Sequence, residues 1–449
     1  MGTMLRLWSC RNSALTGEGE QTAWVRVAAH NIMELHYYHQ VGELRADIRS
    51  VKAHKASYRL GAFGFLASND LAEDNVRSGD PGCGNYGIHD QIIALGWVQR
   101  YIHAFGGDSA RVTLMGESAG GSDVQIQMLS KMAQSKKLFH QAVIMSGNAV
   151  LTSRTLAHQD AIYRMFLKHL RIPDEITALE KVERLRVVPV EELLQAYSCT
   201  GSPLPNWQAT VDGFLLEEQP KASILSQLDY GPHVKRIIIG DCQREASLWS
   251  RKIAAGEWTS GKVRRLLEQH LDQGSVERII DAYDLHSFDQ HDAVAKLEPL
   301  LNDAEFGQNI YEIARSWKGD ACFYYHMRFG NPFPGPFQGI AHHAVDLLFL
   351  FQTFNHLLPP AYAEAAEKMG THWINFANGL EPWPSLASEA VMCYGPETVV
   401  LVPLDRDHGS PYKLWEEFGV LQDEWSHASM AIRGEKIYSS ASKPSAASF

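Results

Sequence analysis

The chain has 449 residues, 45% of them apolar and 21% charged, with 35 Gly and 19 Pro, which excludes a disordered, collagenous or disulfide-dense chain. Lys+Arg number 41 against 52 Asp+Glu, and the resulting net charge of −11 gives no broad attraction to nucleic acid or to anionic membranes. The longest apolar runs, such as Leu347–Phe351 and Val399–Val402, fall far short of the roughly 18 residues that a transmembrane segment needs.

Met1–Glu20 carries Arg6, Arg11, Glu18 and Glu20 and lacks the continuous apolar stretch of a secretion signal. Trp24–Ala29 reads as a strand, followed by a stretch dotted with His30, His36, His39 and His54 that has little periodicity. Residues 1–57 therefore stand apart as an atypical N-terminal region. From Arg59 to about Pro403, short β-rich runs alternate with longer amphipathic ones. The strands expected are Val112–Met115, Ala142–Met145, Lys235–Ile239, Cys322–Met327 and Thr398–Val402. The helices expected are Asp90–Phe105, Gly121–Lys131, Gln159–Leu170, Gly261–Leu271, Glu305–Trp317 and Ala361–Phe376. Short apolar runs separated by helices predict an α/β domain over residues 58–430, with a mostly parallel central sheet covered on both faces. Thr152–Val234 is longer than a crossover needs and predicts inserted helices. Residues 431–449 read as a flexible tail, rich in Ser and Ala from Tyr438 onward.

The six cysteines (Cys10, Cys83, Cys199, Cys242, Cys322, Cys393) form no C-x-x-C pair, and none of the 13 asparagines begins a glycosylation sequon. A cytoplasmic chain is expected on that basis, or a secreted one if the front is incomplete.

The sharpest local motif is Gly116-Glu117-Ser118-Ala119-Gly120, a G-x-S-x-G directly after a strand and before a helix. Such a turn exposes the serine hydroxyl, and the small Gly116 and Gly120 let strand and helix approach. The helix N-terminus favours negative charge developing beside the serine.

Several segments in order resemble the type-B carboxylesterase and lipase family of α/β-hydrolases. They are Tyr58–Leu66, Asn85–Gln91, Ala94–Gln99, Phe105–Asp108, Gly116–Gly121, Ser146-Gly147, Val211–Gly213 and Trp373–Ala377. The resemblance implies the α/β-hydrolase fold with inserted helices and a serine hydrolase of carboxylic esters. Its partner would be a small-molecule ester, its mechanism would pass through an acyl-enzyme, and no cofactor is implied.

A serine hydroxyl needs a base, and the base needs an orienting carboxylate, in the chain order Ser, acid, His. Glu245 matches the family's acid place five residues after Gly240, although Ala246 replaces the usual glycine. Asp241, nearer the strand, is its rival. In Gly339–Leu347 the family spacing to Asp346 and Leu347 selects His343 over His342. The His342-His343-x-x-Asp346 string has no third ligand group with it, so no metal is expected. Trp207, Phe214, Trp249, Phe349 and Phe351 are candidates to line a pocket, though each fits plain core as well.

One oxyanion donor is expected from the Ala119 N–H. The family's Gly-rich donor loop is missing: His30 is followed by Asn31-Ile32-Met33 rather than glycines, and Val51–Ser57 is too polar for the buried strand expected there. Each lost donor costs about 2.7–4 kcal/mol of transition-state stabilisation. Three readings compete. Either the front of the chain is not authentic sequence for this domain, or the backbone at Asn31-Ile32 supplies a donor, or the chain is a catalytically impaired carboxylesterase-like binding protein.

Overall fold

Among the described residues, eight strands form the main sheet, and its central ones are rich in Val, Ile and aromatic residues. A computed structural model describes residues 21–28, 51–200, 207–395, 399–404, 414, 415, 417, 418 and 421–435. The strands are β1 (Gln21–Ala28), β2 (Val51–Ala56), β3 (Gly107–Glu117), β4 (Gln141–Met145), β5 (Arg154–Thr155), β6 (Thr210–Val211), β7 (Arg236–Cys242), β8 (Ala321–Met327), β9 (Ala390–Tyr394) and β10 (Val399–Pro403). The main sheet runs β10-β9-β8-β7-β4-β3-β1-β2, while β5 and β6 make a separate two-stranded ribbon. Every pair in the main sheet is parallel except β9 with β10.

Side chains alternate between two cores, as the period of two in a strand requires. On β7, Ile237 and Ile239 join one core and Ile238 and Cys242 the other. On β8, Tyr324 faces the first, and Phe323, Tyr325 and Met327 face the second. Helices Tyr86–Tyr101 and Ala119–Leu129 cover the first face, and Asp346–Phe351 and Pro360–Ala377 the second. This is the doubly covered, mostly parallel sheet that the sequence predicts. Helices Leu156–His169, Ala178–Arg186 and Val190–Cys199 occupy the span expected to hold insertions.

Two expectations need correcting. Val51–Ala56 does form a strand, β2, paired with β1 at the end of the described sheet order. A strand with a neighbour on one side only need not be apolar throughout, so its Lys and His are compatible with that place. The boundary at residue 430 falls inside a helix, Leu421–Ile432, and the nearby side chains of Arg433 and Glu435 are buried in ion pairs with Glu305 and Arg154. Residues 436–449, the rest of the expected tail, lie outside the described residues.

β9 (Ala390–Tyr394) is not among the strands expected from sequence. Its five residues are all buried between β8 and β10. The five described cysteines are all free thiols. Among the described residues, no helix is long and apolar enough to cross a membrane.

Candidate active site

β3 delivers Ser118 to the C-terminal edge of the sheet. There the backbone turns through φ 57° and ψ −125° and enters the helix Ala119–Leu129. A non-glycine residue in that region stores about 1–3 kcal/mol of strain, so its surroundings must hold it. The Ser118 N–H donates to the Met145 carbonyl at 2.8 Å, and the Ser118 carbonyl accepts from Ser122 N–H at 3.0 Å. A methyl group on Gly116 would lie 2.1 Å from the Gly120 carbonyl oxygen, and one on Gly147 would lie 2.2 Å from the Ser118 carbonyl oxygen. Backbone packs directly on backbone at both points, which is why glycine stands there. Ser118 and Ala119 remain partly exposed.

Two further loops leave the same edge. After β7, Glu245 is fully buried and opens a short 3₁₀ turn, Glu245–Trp249. After β8, the chain returns through His342 and His343 to the helix Asp346–Phe351. The loops are joined by the Arg244 N–H, which donates to the Ala341 carbonyl at 2.9 Å.

These loops bring Ser118, Glu245 and His343 together. The Ser118 hydroxyl lies 2.7 Å from His343 Nε2, and His343 Nδ1 is hydrogen-bonded to Glu245 Oε2. In the neutral ring, with Nδ1 donating to the carboxylate, Nε2 is left to accept from the serine. Glu245 Oε1 accepts the Cys242 N–H at 2.6 Å, and the Glu245 N–H donates to Asn302 Oδ1 at 2.8 Å. The rival acid, Asp241, is bonded to a different histidine, His326. His342 points away: its Nδ1 bonds the His343 carbonyl at 2.6 Å and its Nε2 bonds Asn331 Nδ2 at 3.0 Å.

The electrostatics favour a charged imidazole. Burial alone would depress His343, but Glu245 and Glu117 outweigh it and raise the group to about 9. Glu117 Oε1 lies 3.4 Å from His343 Nε2, so this elbow residue acts on the imidazole as well as shaping the turn. Asp346, fully buried, is raised to about 6 by burial and accepts the Tyr325 hydroxyl at 2.7 Å.

Glu117 gives rise to a pH prediction. A base must be neutral to take a proton, so kcat/KM should rise with pH along a limb lying alkaline of an ordinary histidine. Glu117→Gln removes one of the charges that hold the proton on His343 and should move that limb toward lower pH. A pH–rate profile identical to that of the parent would contradict the assignment.

Ala119 is the first residue of its helix, so its N–H has no carbonyl within the helix to bond. Ala28 pairs in register with Glu117, so the chain leaves β1 beside the serine. Asn31 and Ile32, expected to follow from there, lie outside the described residues. Of the pocket candidates, Trp207 packs on Phe166 and Tyr197, and Phe349 packs on Phe329 and Tyr362, as core. Phe306, not singled out from sequence, has its ring centroid 5.6 Å from that of His343 and 5.7 Å from that of Trp249.

Residues 53–399 match the carboxylesterase family model. The chain belongs to the carboxylesterase family. It is 27% identical over 356 residues to the crystal protein of Dictyostelium discoideum, covering 74% of this chain and 60% of that protein. It is 26% identical over 383 residues to the cocaine esterase of Homo sapiens, covering 78% of this chain and 63% of that protein. Human thyroglobulin is 32% identical over 192 residues, which is 42% of this chain and 7% of that one. The chain therefore spans less than two thirds of the length of these curated relatives. Among solved structures, a PNB esterase superposes with a TM-score of 0.67 at 22% identity, covering 89% of this chain and 82% of that one. That likeness shows the α/β-hydrolase fold that carboxylesterases are expected to share.

Proposed function

We propose that this carboxylesterase-family chain hydrolyses carboxylic esters of small molecules through an acyl-enzyme. The observation that carries the reading is the hydrogen-bonded chain Ser118–His343–Glu245, set on a strained turn at a helix N-terminus. In this mechanism His343 Nε2 takes the hydroxyl proton as Ser118 Oγ attacks the ester carbonyl. Glu245 fixes the imidazole tautomer and stabilises the imidazolium. The Ala119 N–H bonds the oxyanion of the tetrahedral intermediate. His343 then hands the proton to the departing alcohol, activates a water against the acyl-Ser118 ester, and the acid leaves. No step calls for a cofactor.

The second reading, a catalytically impaired ester-binding protein, is favoured by the lack of a Gly-rich run between His30 and Tyr58. One experiment separates the two. A fluorophosphonate probe should label the full chain covalently, and Ser118→Ala should abolish the label. A folded parent chain that takes up no probe would exclude the esterase reading and favour the binding protein.

A further inference from the structure

The segment that contacts the site from behind is a helix with a defect. Ala293–Asn302 runs into Gln308–Arg315 through one π turn, Asp303–Gly307. Such a turn inserts one extra residue, which rotates the next stretch of helix by about 100° and leaves carbonyls poorly paired. Two asparagines take up those carbonyls. Asn309 Nδ2 donates to the carbonyls of Ala304 at 3.2 Å and Glu305 at 3.1 Å, and Asn148 Nδ2 donates to that of Glu305 at 2.9 Å.

The side chains around the turn reach both partners of Ser118. Asn302 Oδ1 accepts the Glu245 N–H, and Phe306 packs on the His343 ring. Facing away, Glu305 Oε1 accepts the indole N–H of Trp425 at 3.1 Å, and Asp303 Oδ2 accepts the Tyr283 hydroxyl at 2.9 Å. Trp425 lies on the helix Leu421–Ile432.

We propose that this π turn, with the Asn302 that leads into it, is the positioning element of the site: it orients Glu245 through Asn302 and His343 through Phe306, and Trp425 of the helix Leu421–Ile432 holds it in register. The proposal rests on the esterase reading for its kinetic consequence, but not for its structural one. Asn302 and Phe306 act through Glu245 and His343 and are positioning residues. An α-helical register would carry Phe306 off the imidazole or Asn302 off the Glu245 amide, because one residue of phase separates the two faces. A misplacement of that order costs about tenfold to a hundredfold in turnover.

The test uses the full chain and two variants, Asn302→Leu and Trp425→Phe, each checked for an unchanged thermal midpoint. The first removes the acceptor for the Glu245 N–H together with the donor that Asn302 gives to Asp303. The second removes the N–H that Glu305 accepts and trims the ring that packs on Trp415, keeping an aromatic ring in place. The readout independent of turnover is the far-downfield proton resonance of His343 Nδ1–H in its bond to Glu245. That resonance should be present in the parent and shifted or exchanged away in both variants. On a short-chain nitrophenyl ester, kcat should fall about tenfold or more in Asn302→Leu while KM changes little. A parent chain without the resonance, or variants that leave it in place, would overturn the proposal. A parent that shows the resonance but cleaves no ester would sink the esterase reading alone.

Discussion

Glu245→Gln should lower kcat on a short-chain nitrophenyl ester by about four orders of magnitude, while Asp241→Asn leaves it near the parent value. The two acids stand four residues apart and both are buried, yet they face different histidines. Glu245 accepts from His343 Nδ1, which leaves Nε2 to receive the Ser118 proton. A glutamine in its place can present its N–H₂ to Nδ1, which favours the tautomer with the proton on Nε2. The base is then blocked at the atom that must take the serine proton. The imidazolium also loses its counter-charge at 245, and Glu117, 3.4 Å from Nε2, is not placed to fix the ring from the other side. Steady-state kinetics on the two variants decide the point. A large loss in Asp241→Asn with little change in Glu245→Gln would reassign the acid.

Gly116→Ala should unfold the domain or cost at least about 3 kcal/mol in a urea melt. The added methyl would sit 2.1 Å from the Gly120 carbonyl oxygen and 2.7 Å from the Gly121 nitrogen. Those atoms belong to the helix backbone behind Ser118, so no side-chain rotation relieves the overlap. Either the helix moves off β3 or the strained turn at Ser118 relaxes, and both remove the serine from its place. Gly96→Ala is the control. Gly96 lies within the helix Tyr86–Tyr101 with nothing inside 4 Å of the added methyl, and the change should stabilise by about 0.5–1 kcal/mol. Equal effects of the two substitutions would refute the close-packing account.

How much the sequence reveals depends on how local each signal is. The Ser118 turn is announced within ten residues by an apolar strand, spaced glycines and a helix, and β3 and the helix Ala119–Leu129 stand where those residues point. Glu245 and His343 carry no such local mark. Only their order and motif context single them out, and the geometry then separates Glu245 from Asp241 and His343 from His342. Asn302 and Phe306 are out of reach of sequence reasoning. Their importance arises from a π turn, and a one-residue insertion leaves no trace in a hydrophobic pattern that continues on either side of it. β2 escapes for a different reason. The demand for an apolar run applies to strands flanked on both sides, and whether a strand is flanked is a property of the sheet, not of its own residues.

The strand order has a consequence for how the molecule is made. From β3 to β10, the strands of the main sheet add in the order in which they are synthesised, each laid against the last. A sheet assembled in that order would grow outward from the serine-bearing strand, each new strand docking on the margin left by the one before. His343 lies 225 residues beyond Ser118. A nascent chain thus carries Ser118 through 225 further residues of synthesis before the imidazole that bonds it exists, so under the proposed mechanism no ester could be cleaved until β8 and the loop beyond it are in place.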